Sequence, residues 1–335
     1  MPIPFLFIAA AVGTGLVGAG KSVKAGIDQK DANDTNRAAE RKIERAKEKI
    51  NTCRDNCGKS LDGLGKIKIT VLDDSIKKFI HEFEKLNNVE LSESTGLNEL
   101  QKMVLDKKNF SDLKDLQGMA TSMVGGLASG AMAGAITAFG AYGAAGALAT
   151  ASTGTAIASL SGAAATNATL AFFGGGSLAA GGLGMAGGTA VLGGLVAGPA
   201  LAVLGFVVGA KASKNRDVAY SNYAKAKEFQ EEMDTASDLC IGIRRRSDMF
   251  GRFLLRLQTI LDELVYQMTQ IIKDKGTDYR RFSKDEQNCV ACAMALAGAI
   301  KSLLDTPILD DDGNLTVESG LVIESTQDKI GQIIE

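Results

Sequence analysis

The sequence predicts an all-α protein: an elongated bundle of coiled-coil-like helical rods carrying a central Ala/Gly-rich hydrophobic helical hairpin. Three observations predict it. Apolar residues recur at spacings of three and four through two long, highly charged stretches. Between those stretches lies a block, residues 116–210, without a single Lys, Arg, Asp or Glu. Almost nothing alternates apolar and polar residues in the way a half-buried strand would. All 76 charged residues of the 335 fall outside the block, which leaves the rest of the chain about 32% charged, above the usual quarter. The block also holds 23 of the 39 glycines. A net charge of −2 offers no positive excess for the phosphates of a nucleic acid. The same partition excludes a uniform soluble enzyme domain, a collagen-like repeat and a simple disordered tail.

Residues 1–32 are expected to form an apolar N-terminal helix and a linker. The run Pro2–Gly20 is uncharged, and no basic residue precedes Phe5, as a secretory signal would require. Its glycines and modest length make it marginal for a bilayer span. The segment 33–114 is expected to be the first rod and a connector. Its helix, 33–89, sets Ala39, Ile43, Ala46, Ile50, Cys53 and Cys57 on one seam, which continues through Leu61, Leu64, Ile67 and Val71. The seam slips near Leu72, then resumes at Ile76, Phe79, Phe83 and Leu86. Gly58, Gly63 and Gly65 each cost about 1 kcal/mol relative to Ala in a helix, so a bend is expected there. The second rod, 213–276, has its helix at 215–274. Its seam includes Phe229, Met233, Cys240, Phe250, Leu254 and Leu257, with Ser247 the one polar interruption. Two rods with matching seams most simply pack on each other. The last segment, 277–335, opens with a capping box, Ser283 and Glu286, before an alanine-rich helix at 284–305. A turn at Asp310–Asn314 precedes a final helix at 316–334. Gly313 arrives too early in that turn for a twelve-residue calcium loop.

Segment 115–212 is the expected hairpin, with arms 116–151 and 167–210. Small residues recur there every four positions: Gly126, Gly130 and Gly134; Gly184 and Gly188; Gly194 and Gly198; Gly205 and Gly209. On a helix each set lines one face and lets two backbones approach, as transmembrane pairs do. In water such a face is a poor helix stabiliser, so the block needs close partners or a low-dielectric surrounding. Each arm exceeds the roughly 20 residues that cross a bilayer.

Few motifs carry chemistry. Gly15, Gly20, Lys21 and Ser22 match the spacing of a phosphate-binding loop, but no alternation of strands and helices surrounds them. Cys53 and Cys57 with Cys289 and Cys292 could form a four-thiolate zinc site, although Cys53, Cys57 and Cys240 also fit the seams as small apolar residues. His81 is the single histidine, so a histidine triad and a multi-histidine metal site are excluded. No nucleophile or carboxylate pair has a recognisable catalytic neighbourhood, and no metal or cofactor is expected. Arg244, Arg245 and Arg246, with Arg252 and Arg256, form a basic stripe, either a solvated helix face or, through Arg244, Arg245, Arg252 and Arg256, a contact for anionic lipid headgroups.

The stretch from Ser161 (SGAAATNATLAFFGGG) to Val203, together with the apolar N-terminus, Ser75-IKKFIHEFEKLNNV and Thr306-PILDDDGNLTVES, resembles a family of uncharacterised bacterial glycine-zipper proteins. That resemblance implies no settled function, and the family does not generally keep the Gly-Lys-Ser at its N-terminus. In layout the chain looks like the α-helical pore-forming toxins of the cytolysin A type and like apolipoprotein L. That likeness implies a hairpin that leaves its bundle and enters lipid.

The leading expectation is therefore a non-enzymatic, membrane-active protein, soluble in the cytoplasm and conditionally membrane-associated. Its partners would be a lipid bilayer and further copies of itself, its output a pore or bilayer perturbation, as in a toxin or defence effector. The first alternative is a soluble scaffold or adaptor that binds a protein partner through its rods, with the hairpin as core. The second is a phosphate-loop nucleotide-binding protein.

Overall fold

The computed structural model describes residues 22–89, 107–127, 133–143, 216–310 and 314–334. Among these the protein is all-α, and β pairing is limited to isolated bridges, Asn87 with Asp278 and Leu309 with Leu315. In order, the elements are α1 (Ser22–Val71), a π turn (Leu72–Ile76), α2 (Lys77–Phe83), α3 (Lys107–Leu127) and α4 (Ala133–Tyr142). After them come α5 (Arg216–Lys275), a 3-10 turn (Tyr279–Arg281), α6 (Lys284–Asp305) and α7 (Val317–Ile334).

The chain divides into two compact units, Met1–Ala46 with Leu204–Glu231, and Lys47–Val203 with Glu232–Glu335. In the first, α1 and α5 pack in parallel through small side chains. Ala32, Ala39 and Ala46 are buried from one helix, and Ala219, Ala226 and Phe229 from the other. The alanines recur every seven residues, which is the repeat of a coiled-coil seam. Polar contacts set the register: Asn222 donates to Asn36 Oδ1 (3.1 Å) and Lys42 Nζ to Gln230 Oε1 (2.9 Å).

In the second unit the same two helices continue in parallel, with Lys49 paired to Asp234 at 2.6 Å. Leu61, Leu64, Cys57 and Ile50 are buried on α1, and Met233, Cys240, Ile243, Phe250, Leu254 and Leu257 on α5. The mutual packing of the two rods is as the matching seams predict. One boundary differs: helix α1 already exists at Ser22, within the expected linker, and it continues as helix through Gly58, Gly63 and Gly65. The heptad slip at Leu72 is the π turn. Its extra residue brings Leu72, Ser75, Ile76, Phe79 and Ile80 to the buried side.

Helix α3 runs antiparallel to this region. Phe110 stacks with Phe83 at 5.4 Å, Lys114 pairs with Glu84, and Thr121 donates to Asp73 Oδ1. Its buried face is Leu113, Leu116, Met119, Ala120 and Met123. Helix α3 therefore straddles the point at which charge stops: one amphipathic stripe continues across it.

Helix α6 is buried on most sides, from Val290 to Leu304. Among the described residues it is the one helix long and apolar enough to cross a membrane, and two-thirds of its apolar window (67%) is buried inside the protein. It starts where the capping box predicts. Ser283 Oγ accepts from Glu286 N, and Glu286 Oε2 accepts from Ser283 N at 2.7 Å. Ser283→Ala removes one arm of this pair and is expected to cost about 1 kcal/mol. The check is a lower urea midpoint at unchanged slope.

Candidate functional site

The second unit shows how part of the uncharged block is held. Helix α4 is composed of Ala, Gly, Ile, Thr, Phe and Tyr, so it has no charged face to present to water. It lies against α1 at backbone contact. A Cβ on Gly65 would stand 2.0 Å from Ile136 O, and one on Gly140 would stand 2.1 Å from Leu61 O. Ile136, Phe139 and Ala141 are buried in consequence.

The C-terminal carbonyls of α4 are claimed one by one. A helix end leaves such carbonyls without intrahelical partners and carries partial negative charge. Lys68 of α1, fully buried, donates from Nζ to Phe139 O (3.1 Å) and Gly140 O (3.3 Å). Its ammonium also stands 5.4 Å from the Phe139 ring centre. Ala141 O accepts from Ile308 N (2.8 Å) and Leu309 N (3.1 Å) beyond α6. Gly143 closes the helix at φ +74°, with Asp305 O only 2.6 Å from where a Cβ would be. Burial pushes the Lys68 pKa down to about 7, against the opposing pull of Asp305. Asp305 is itself paired with Lys301 at 2.5 Å.

The cysteines assort differently from the four-thiolate expectation. Cys57 and Cys240 share a hydrogen bond across α1 and α5. Cys289, on α6, lies against Leu264 O (3.7 Å) and Gln267 (3.6 Å), next to Cys292. On α5, position 240 and position 264 are separated by roughly 36 Å of helix. The two cysteine pairs therefore cannot share one zinc ion. Among the described residues no group of three metal-ligating side chains occurs. The Cys57 bond, and then the Arg54 guanidinium, hold the Cys240 thiol down to about 7 against burial. The same hydrogen bond and burial push Cys57 upward. Arg54 is 5% exposed and its Nη2 has no hydrogen-bond partner, and burial lowers its pKa while the nearby Cys240 opposes that shift.

Of the glycines nominated from spacing, Gly126 lies in α3 and Gly134 in α4. Gly130, Gly184, Gly188, Gly194, Gly198, Gly205 and Gly209 lie outside the described residues, as does the Gly15–Lys21 motif. The close approach that is described uses Gly65 and Gly140 instead. Arg244, Arg245, Arg252 and Arg256 are all exposed on α5, whereas Arg246 turns inward and donates to Ser319 Oγ at 3.1 Å. The structure brings Arg244 and Arg252 to one groove; Arg245 and Arg256 are not part of its lining. Lys68 and Arg54 escaped sequence reading because a lysine or arginine between heptad positions normally faces solvent. No protein-family model, curated protein or solved structure matches this chain.

Proposed function

We propose that the chain is a non-enzymatic, membrane-active protein, soluble in the cytoplasm until its uncharged hairpin is released to perturb a bilayer. One observation carries this reading: 95 consecutive residues without charge sit between two heavily charged helices. A water-facing helix of such composition lacks the polar side that keeps helices soluble. The seat of α4 supports it by suggesting how release would be controlled. The helix is held by close glycine contacts and by capped carbonyls that a change in protonation or packing would weaken. Oligomerisation through the small-residue faces of Gly126–Gly134 and Gly184–Gly209 would follow insertion.

The burial of α4 also favours a second reading, in which the block is permanent core and the rods bind a protein partner. Vesicles separate the two. Full-length protein is mixed with phosphatidylcholine vesicles, with and without phosphatidylglycerol, at neutral and mildly acid pH and after limited proteolysis. Flotation with the vesicles and release of trapped dye are expected under at least one of these triggers. No lipid association and no leakage under any of them would overturn the membrane reading and leave the scaffold.

A further inference from the structure

In the second unit a groove of about 480 Å³ runs between α1 and α5, open beside Gly63 and also lined by Gly251. Its polar wall is Asn56, Lys59, Arg244, Ser247 and Arg252. Lys59, Arg244 and Arg252 are exposed, and among the described residues none is within ion-pair distance of a carboxylate. The acidic side chain in the lining, Asp248, accepts a hydrogen bond from Ser60. The groove thus carries three cations against one carboxylate that is already engaged. Leu64, Ile67 and Leu255 extend it with apolar surface.

Ser247 separates this groove from an ordinary solvated basic face. It occupies a seam position of α5, is 1% exposed, and its Oγ has no partner. A buried helical serine normally donates to the carbonyl one turn back, as Ser237 does to Met233 O at 2.7 Å on the same helix. Ser247 does not, and an unpaired buried hydroxyl is costly to keep. Gly63 keeps the space open: a Cβ there would meet nothing within 4 Å.

The geometry points to a binding site for a phosphate ester, monoester or diester, held by Lys59, Arg244 and Arg252 with Ser247 at hand to donate its hydroxyl. Guanidinium groups bind phosphate oxygens in pairs, lysine adds a point charge, and the apolar end accepts a short hydrocarbon portion. A lipid headgroup and a soluble organic phosphate both satisfy these groups. The site therefore stands apart from the membrane reading, which it would supply with a headgroup contact if the ester is a lipid.

Calorimetric titration of the full chain at low salt tests it with inorganic phosphate, glycerol 3-phosphate and dihexanoyl phosphatidate. A vesicle-binding arm uses phosphatidylcholine with and without phosphatidate. Saturable binding of at least one ester is expected. Gly63→Leu, which fills the groove, and the double variant Arg244→Gln/Arg252→Gln should each weaken it roughly tenfold or more. Gly58→Leu is the control: a Cβ there also meets nothing within 4 Å, and position 58 is outside the groove. It should bind like the parent, and both leucine variants should melt no lower than the parent, because each replaces a helical glycine. Binding of glycerol 3-phosphate assigns a soluble ester, and binding only of phosphatidate or its vesicles assigns a lipid. No saturable binding of any probe, or binding unchanged in Gly63→Leu and in the arginine double variant, would overturn the site. Dye release that persists in Gly63→Leu would leave the membrane reading intact without this groove. Ester binding by a protein that releases no dye would do the reverse.

Discussion

Alanine in place of Gly65 or Gly140 is expected to unseat α4 and to cost about 2–3 kcal/mol of stability. The new Cβ would stand 2.0 Å from Ile136 O in one case and 2.1 Å from Leu61 O in the other. These are backbone atoms, so no rotamer change relieves the overlap; the helices must separate. Separation then draws Ile136 and Phe139 out of contact and misplaces the carbonyls that Lys68 serves. Helix propensity pushes the other way, by up to about 1 kcal/mol in favour of alanine. That contrast makes the test sharp. Gly58→Ala and Gly63→Ala, where nothing lies within 4 Å of the added carbon, should raise stability slightly, while Gly65→Ala should lower it. Urea unfolding measures the sign, and amide exchange across 133–143 locates the effect. Equal stabilisation at all the α1 glycines would remove the close-approach account. Under the proposed function, Gly65→Val and Gly140→Val should also float with vesicles without an acid or proteolytic trigger.

The second large effect concerns protonation of Lys68. Its pKa falls from 10.5 in the unfolded chain to about 7 in the folded one, because burial disfavours the ammonium. Between those values the unfolded chain holds a proton that the folded chain has released. Stability therefore rises with pH across that window, by an amount on the order of a few kcal/mol, and is flat for this group below it. Lys68→Met removes the linkage, since methionine has no proton to lose. Cys240, near 7, titrates at the edge of the same window, so the informative quantity is the difference between parent and variant. That difference should change steadily from about pH 7 to 10.5 and level off outside. The groups facing the ammonium are the Phe139 and Gly140 carbonyls, the Phe139 ring and, at longer range, Asp305. A pH-independent difference would place the Lys68 pKa in its ordinary range. Acidification from slightly alkaline to slightly acid pH charges Lys68 and weakens the seat of α4, the direction that release requires.

The parts of this fold that were readable in the sequence depend on neighbours in the chain. Heptad spacing placed the second rod at 215–274, against Arg216–Lys275 found, and the Ser283–Glu286 box placed α6 correctly at Lys284–Asp305. Even the slip at Leu72 registered as a break in periodicity. What stayed hidden depends on distant partners. Gly65 and Gly63 look alike in sequence, yet one touches the backbone of α4 and the other touches nothing within 4 Å. Lys68 lies between seam positions and reads as surface until α4 covers it. The start of α3 at Lys107 is hidden because the abrupt end of charge at residue 115 falls inside the helix and marks no structural boundary. The nominated glycine faces beyond α4 lie outside the described residues.

The π turn at Leu72–Ile76 has a consequence for how α1 and α2 tolerate change. An α-helix advances about 100° per residue, so one surplus residue rotates everything after it by nearly a third of a circle. Upstream of the turn the helix addresses α5 and α4; downstream it offers Phe79 and Phe83 to Phe110 of α3. The turn works as a frameshift in three dimensions, joining two surfaces that one uninterrupted spiral could not aim correctly. Removing a single residue between Leu72 and Ile76 would leave the composition almost untouched and still turn the aromatic cluster away from its partner. Substitutions there keep the phase; insertions and deletions lose it.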